Sequence, residues 1–300
     1  MSPAAGALVM ALVGAGLSQQ APVNRGLARV SGPVAAAFVN FAVGGVLLFV
    51  ACAIAGQLDG IGRIGPEWWH ALGGCLGAVY VLTALVVVRS IGASGVAAGT
   101  VTGQLVASVV IDVGGWLGVD HRPLGLRVLV GAAAVIVGTY MVVGVPHRLQ
   151  NGDSGRSPLP ALLAVAAASA MVGVQIPMNG LLAQSTGDFA SGLLNFIVGG
   201  AALGLVLLLT GSARELAAVP RVRWYYLTGG VFGGINAFAT LALVGEIGAG
   251  TVTAAGVTGQ MLASLALDRI GFLGLEPRPL SGRRLAGAVL LVAGTILVAR

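Results

Sequence analysis

The sequence predicts an all-α integral membrane protein whose ten transmembrane helices form two inverted-topology repeats of five. Three observations predict it. The chain of 300 residues is 57% hydrophobic and only 9% charged, where charged residues make up roughly a quarter of a soluble domain. Its apolar runs have the length needed to cross a bilayer. Its two halves also repeat one another, residue by residue. The net charge of +6 comes with sixteen Arg and no Lys, which removes P-loop, Schiff-base and kinase-type chemistry. These Arg residues sit at the ends of apolar segments, so positive-inside anchoring explains the charge better than nucleic acid does.

A hydrocarbon core of roughly 30 Å takes about 20 residues of helix, and ten segments near that length follow in order. The first, 3–22, lacks a basic n-region and ends in Gln19, Gln20 and Pro22 rather than a cleavage site, so it reads as a retained span. The second and third, 33–55 and 69–88, contain Asn40 and a cluster of glycines. The fourth, 92–112, carries Gln104, and the fifth, 126–145, is thin. Pro146 to Pro158 is the one clearly polar stretch and divides a first repeat, 1–145, from a second, 159–300. The remaining spans are 159–178, 188–210, 225–245, 247–268 and 282–299. The apolar part of the last is short, so Arg283 and Arg284 are expected to snorkel.

The repeat has an offset of 155, rising to 156 after one inserted residue before Trp224. Gln20, Pro22 and Asn24 return as Gln175, Pro177 and Asn179, and Asn40-Phe41 returns as Asn195-Phe196. Gly73, Gly74 and Gly77 return as Gly229, Gly230 and Gly233. Gln104, Ser108 and Asp112 return as Gln260, Ser264 and Asp268. A unit of five spans leaves the membrane opposite its point of entering, so the second copy is inverted, a signature of alternating-access transporters. Twelve Arg residues lie in odd-numbered connections and four oppose them. The odd connections are therefore placed in the cytoplasm and both termini outside.

Thr100, Gln104, Ser108 and Asp112 share one helical stripe, as do Gln260, Ser264 and Asp268. An amide in hydrocarbon is costly, so these stripes should face protein or a water-filled cavity. Interhelical hydrogen bonding and substrate contact are both open for them. The adjacent stripe Gly95, Gly99, Gly103 and Ala107 has small-xxx-small spacing and implies close helix packing. Asp112 and Asp268, with Ser108 and Ser264 one turn away, are candidates for a gate or proton-binding site. Each carboxylate lies at the end of its span, where solvation or a partner such as Arg122 or Arg278 would also account for it. Pro22 and Pro177 mark kinks or helix ends, and paired interruptions point to a transporter's site. Gln20, Asn24, Asn40 and Gln104, with Gln175, Asn179, Asn195 and Gln260, are thus the candidate substrate-binding residues. Cys52 and Cys75 read as small apolar packing residues, and His70, His121 and His147 as solvated residues near segment ends. No metal constellation exists.

The pattern Gln-x-Pro-x-Asn closing the first span, Asn-Phe-x-x-Gly-Gly in the second, Gly-Gln-x-x-x-Ser-x-x-x-Asp in the fourth and Arg-Pro-Leu before the fifth resembles the DUF606 (YdcZ-like) family of the drug/metabolite transporter (DMT) superfamily. This chain resembles a tandem fusion of two such units. The resemblance implies an EamA-like basket of ten helices around a central cavity formed by the first four helices of each repeat, the fifth lying at the periphery or against the opposite half. One departure matters: both first helices lack the acid that the small multidrug-resistance branch carries there, which argues against proton-coupled export of cationic drugs. The leading expectation is a secondary transporter in a bacterial inner membrane, exporting a small polar metabolite by alternating access, as a monomer or homodimer. A passive channel and a non-transporting membrane scaffold are the alternatives. No enzyme activity, cofactor, metal or nucleic-acid partner is expected; the partners are a small-molecule substrate and the bilayer.

Overall fold

The computed structural model describes residues 2–66, 68–118, 121, 125–143 and 157–299. Prolines placed in the first helical turn, where the missing N–H costs nothing, open several helices. Pro3 starts α1 (Pro3–Leu17) behind a Ser2 cap whose Oγ accepts from Ala5 N at 3.3 Å. Pro33 starts α3 (Pro33–Ile54), and Pro160 lies in the first turn of α6 (Leu159–Thr186). The other helices are α2 (Gln20–Ser31), α4 (Gly73–Gly114), α5 (Leu126–Val143), α7 (Asp188–Leu209), α8 (Thr228–Ile247), α9 (Ala249–Ile270) and α10 (Gly282–Ala299). No strand occurs among the described residues. Six helical runs among them are long and apolar enough to cross a membrane, and large apolar side chains such as Leu12, Ile54, Val86 and Leu209 point outward. This is the surface a protein presents to lipid, where every backbone polar group must be satisfied within the helix.

Three boundaries differ from those the sequence predicts. The first and sixth spans do not stop near their prolines. α1 breaks at Ser18 and Gln19, one turn before Pro22, where the missing donor frees a carbonyl, and α2 carries the chain on to Ser31. α6 continues through Pro177 to Thr186 as one helix. The third and fourth spans are also not separated by a loop. They form one element bent at Gly92, with φ 75 and ψ 175, so Arg89 lies on a helix. Gly248, with φ 81 and ψ 149, makes the same elbow between α8 and α9. That backbone region is essentially reserved for glycine. The polar stretch expected to link the halves lies outside the described residues except for 157 and 158.

The repeat extends to the backbone. Every described residue with positive φ has its mate in the other copy: Gly32 and Gly187, Gly56 and Gly211, Gly92 and Gly248, Gly115 and Gly271, Leu117 and Leu273, Gly118 and Gly274. Packing follows the same pseudo-symmetry. A Cβ at Gly138 would stand 2.6 Å from Gly287 O and one at Gly287 2.8 Å from Gly138 O; Gly131 and Gly294 form the same reciprocal pair. The earlier glycine of α5 meets the later one of α10, so the two helices run antiparallel. The stripe of small residues brings each copy's fourth span against the other copy's first: a Cβ at Gly103 would strike Ala166 O, and one at Gly259 would strike Ala11 O. Phe41 and Phe196 meet from opposite copies with ring centroids 5.2 Å apart and planes tilted by 40°.

Candidate functional site

The duplicated amides fall into two clusters, each seated on the glycines of the opposite copy. Gln175, Asn179 and Asn195 lie over Gly73, Gly74 and Gly77; Gln20, Asn24 and Asn40 lie over Gly229, Gly230 and Gly233. The repeated glycines are therefore seats, because a Cβ at Gly229 would occupy the space of Asn24 Oδ1, and one at Gly73 would approach Asn179 Oδ1 to 3.3 Å. In the second cluster the amides form a chain, Gln175 Nε2 donating to Asn195 Oδ1 and Asn195 Nδ2 to Asn179 Oδ1. In the first, Gln20 Nε2 donates to Gly229 O at 3.2 Å, and Asn24 Oδ1 and Asn40 Oδ1, like Gln175 Oε1 of the other cluster, are buried without a hydrogen-bond partner among the described residues. Beside it is a cavity of about 20 Å³ lined by Gln20, Asn24, Tyr80, Ala93 and Gln260 among others, enough for one water-sized group. Tyr80, which the sequence reading passed over, shares a 3.1 Å hydrogen bond with Thr100. Gln104, mate of Gln260, is half-buried beside Gly173 and away from that cavity.

The two carboxylates differ more sharply. Asp268 is fully buried rather than solvated. Its oxygens accept from Ala93 N at 2.8 Å, from Ser94 N at 3.3 Å and from Ser94 Oγ, capping the helix that starts after the Gly92 elbow. Its ion-pair partner is Arg284 at 2.8 Å, not Arg278, whose Nη2 donates instead to Ser90 O at 2.7 Å. Burial lowers the Arg278 guanidinium from its ordinary value, Asp268 opposes that shift and Arg284 adds to it. Arg284 does not snorkel, because it is 8% exposed and turned inward. Arg283 does face outward, over the ring of Tyr140. Asp112 is half-exposed and makes no hydrogen bond or ion pair among the described residues; Arg122, its suggested partner, lies outside them. Ser264 is buried and donates to Met261 O at 2.8 Å, whereas Ser108 is exposed. His70 is buried against Trp69 rather than solvated, His121 is exposed and bonds Val113 O at 2.7 Å, and His147 lies outside the described residues.

Ser94 and Arg284 were missed because they do not repeat: their mates are Gly250 and Val128. The signal was present as a break in the repeat, a charge and a hydroxyl where the other copy has neither.

A lipid-facing all-α shell around inverted five-helix units, with paired amides at their interface, defines the class of a multi-pass membrane transporter. The family described as "Putative inner membrane exporter, YdcZ" matches residues 5–141 and again 159–297, and the chain belongs to that family in tandem form. Inner membrane protein YdcZ of Escherichia coli (strain K12) is 36% identical over 114 residues, which cover 36% of this chain and 72% of that protein. A solved crystal structure at 20% identity superposes with a TM-score of 0.63 over 98% of this chain and 96% of its own, a likeness of fold.

Proposed function

We propose that the protein is a secondary transporter that exports a small polar metabolite by alternating access between its two inverted repeats, with both termini outside the cytoplasm. The observation that carries this reading is the inequality of two equivalent elbows. All ten residues from 91 to 100 are buried, while among their mates Glu246's neighbours Ile247 and Gly248, and then Thr251 and Thr253, are partly or fully exposed. This inequality, though Val252 and Gly256 of the second copy are buried too, supports a unit closed at one end of the molecule and open at the other. Exchanging the two conformations between copies would move the opening to the opposite face. The amide clusters and Gln260 offer neutral hydrogen-bonding groups, and no charged residue among the described ones lines the cavity, which suits an uncharged or zwitterionic cargo.

Flux and counterflow in proteoliposomes test the reading. A carrier exchanges labelled for unlabelled cargo against a gradient, and a channel does not. Gln104→Leu/Gln260→Leu protein should lose transport by at least about tenfold, and uptake equal to that of the unsubstituted protein would remove these residues from the site. A reporter fused after residue 300 that is active only in the cytoplasm would reverse the proposed orientation.

A further inference from the structure

Arg284 ties four helices and one connection together at the closed end. Its Nε donates to Val142 O of α5 at 3.3 Å. Its Nη1 donates to Arg278 O and Pro279 O at 3.3 and 3.2 Å. Its Nη2 donates to Ser94 Oγ of α4 at 2.6 Å and to Asp268 Oδ2 of α9 at 2.8 Å. A guanidinium carries five N–H groups in a fixed fork, and all three nitrogens are engaged here, so the group is fully employed as a structural tie. Asp268 in turn holds the backbone of the Gly92 elbow. The cavity lies directly below, with Ala93 in its wall.

The pseudo-symmetric position has none of this. Val128 stands for Arg284 and Gly250 for Ser94, although Asp112 is kept for Asp268. We infer that Arg284 makes the two gates unequal: an ionic lock holds the Asp268 end shut at rest, and the Asp112 end, which has no counterpart of Arg284, is the one that stands open. Opening the locked end separates a buried Arg from a buried Asp, a step with a large penalty unless water or a ligand replaces the partner. Whatever opens this end must therefore bind the opened form in preference to the closed one, since a ligand with equal affinity for both shifts nothing.

The inference rests on the alternating-access reading for its meaning but not for its test, which needs no cargo. In a background with Cys52 and Cys75 replaced by Ala, single cysteines are placed at Ala97, buried below the lock, and at its exposed mate Thr253. A membrane-impermeant maleimide is applied to either face of oriented vesicles. The Thr253→Cys probe should react from the Asp112 face, and the Ala97→Cys probe about tenfold or more slowly from either. Adding Arg284→Val should raise Ala97→Cys labelling from the Asp268 face by about tenfold or more. Unchanged labelling in monodisperse protein overturns the lock. Should Arg284→Val aggregate, Val128→Arg with Gly250→Ser carries the test: it should slow Thr253→Cys labelling, and no slowing overturns the lock. Shifted labelling without cargo flux would leave the lock standing and remove the transport reading, and the converse result would do the reverse.

Discussion

The elbows at Gly92 and Gly248 share a backbone conformation and a preceding Ile, yet they live in different surroundings. A Cβ at Gly92 would stand 2.9 Å from both oxygens of Asp268 and 3.1 Å from Arg278 Nε, whereas one at Gly248 would meet nothing within 4 Å. The same Ile-Gly-Ala core with similar dihedrals sits in one closed and one open joint, so the difference is set by the flanking residues, such as Ser94 against Gly250, and by the segments brought to each joint from elsewhere. At the closed joint these are the ends of α9 and α10, whereas nothing among the described residues comes within 4 Å of a Cβ at the Gly248 joint.

The largest contrast between the two ends should come from the carboxylates. Asp268→Ala strands a buried guanidinium and should cost about 3–5 kcal/mol, while Asp112→Ala should stay within about 0.5 kcal/mol. Thermal denaturation in detergent compares them, and equal losses would mean that the two ends are equally closed. The glycines follow. Both elbows require a φ that strains any other residue by about 1–3 kcal/mol, but Gly92→Ala also drives a methyl into Asp268 and should lose about 1–2 kcal/mol more than Gly248→Ala. A reversed order would place the tighter joint at Gly248. Smaller still is the contrast between Ser264→Ala, which removes a buried hydrogen bond worth about 1 kcal/mol, and Ser108→Ala, which should be neutral. The last pair should show no contrast: Gly103→Ala and Gly259→Ala each collide with a carbonyl of the opposite first span. Equal destabilisation there would show that the asymmetry is confined to the gates, and unequal values would spread it through the helix packing.

Much of the architecture was legible because the repeat is legible. Residues kept in both copies, such as the amides, the glycine seats and the small-residue stripes, have pseudo-symmetric roles, and a fold built from two copies is implied by them. That the glycines seat amides from the other copy was not legible, because spacing within a helix says nothing about which helix lies opposite. The two prolines differ for a local reason: the chain breaks one turn before Pro22, as a kink or helix end there predicts, whereas helix α6 continues through Pro177. The lock was invisible for the opposite reason. A search for what repeats passes over Arg284 and Ser94, whose importance lies in having no counterpart, and hydropathy alone assigns a terminal Arg to the membrane surface. The chemistry of the substrate left least trace, since amides and backbone carbonyls are common to many polar cargoes.

The crossing of α5 with α10 has a consequence for how such a chain could arise. Gly131 against Gly294 and Gly138 against Gly287 are the same two positions meeting in reverse order, so the seam is complementary to itself. A polypeptide carrying only one five-helix unit already presents the surface needed to pair about a two-fold axis with an oppositely inserted copy. Joining two genes end to end would then preserve an assembly that existed as a dimer, and would free each half to accumulate changes, such as a solitary arginine, that an identical pair could never confine to one side.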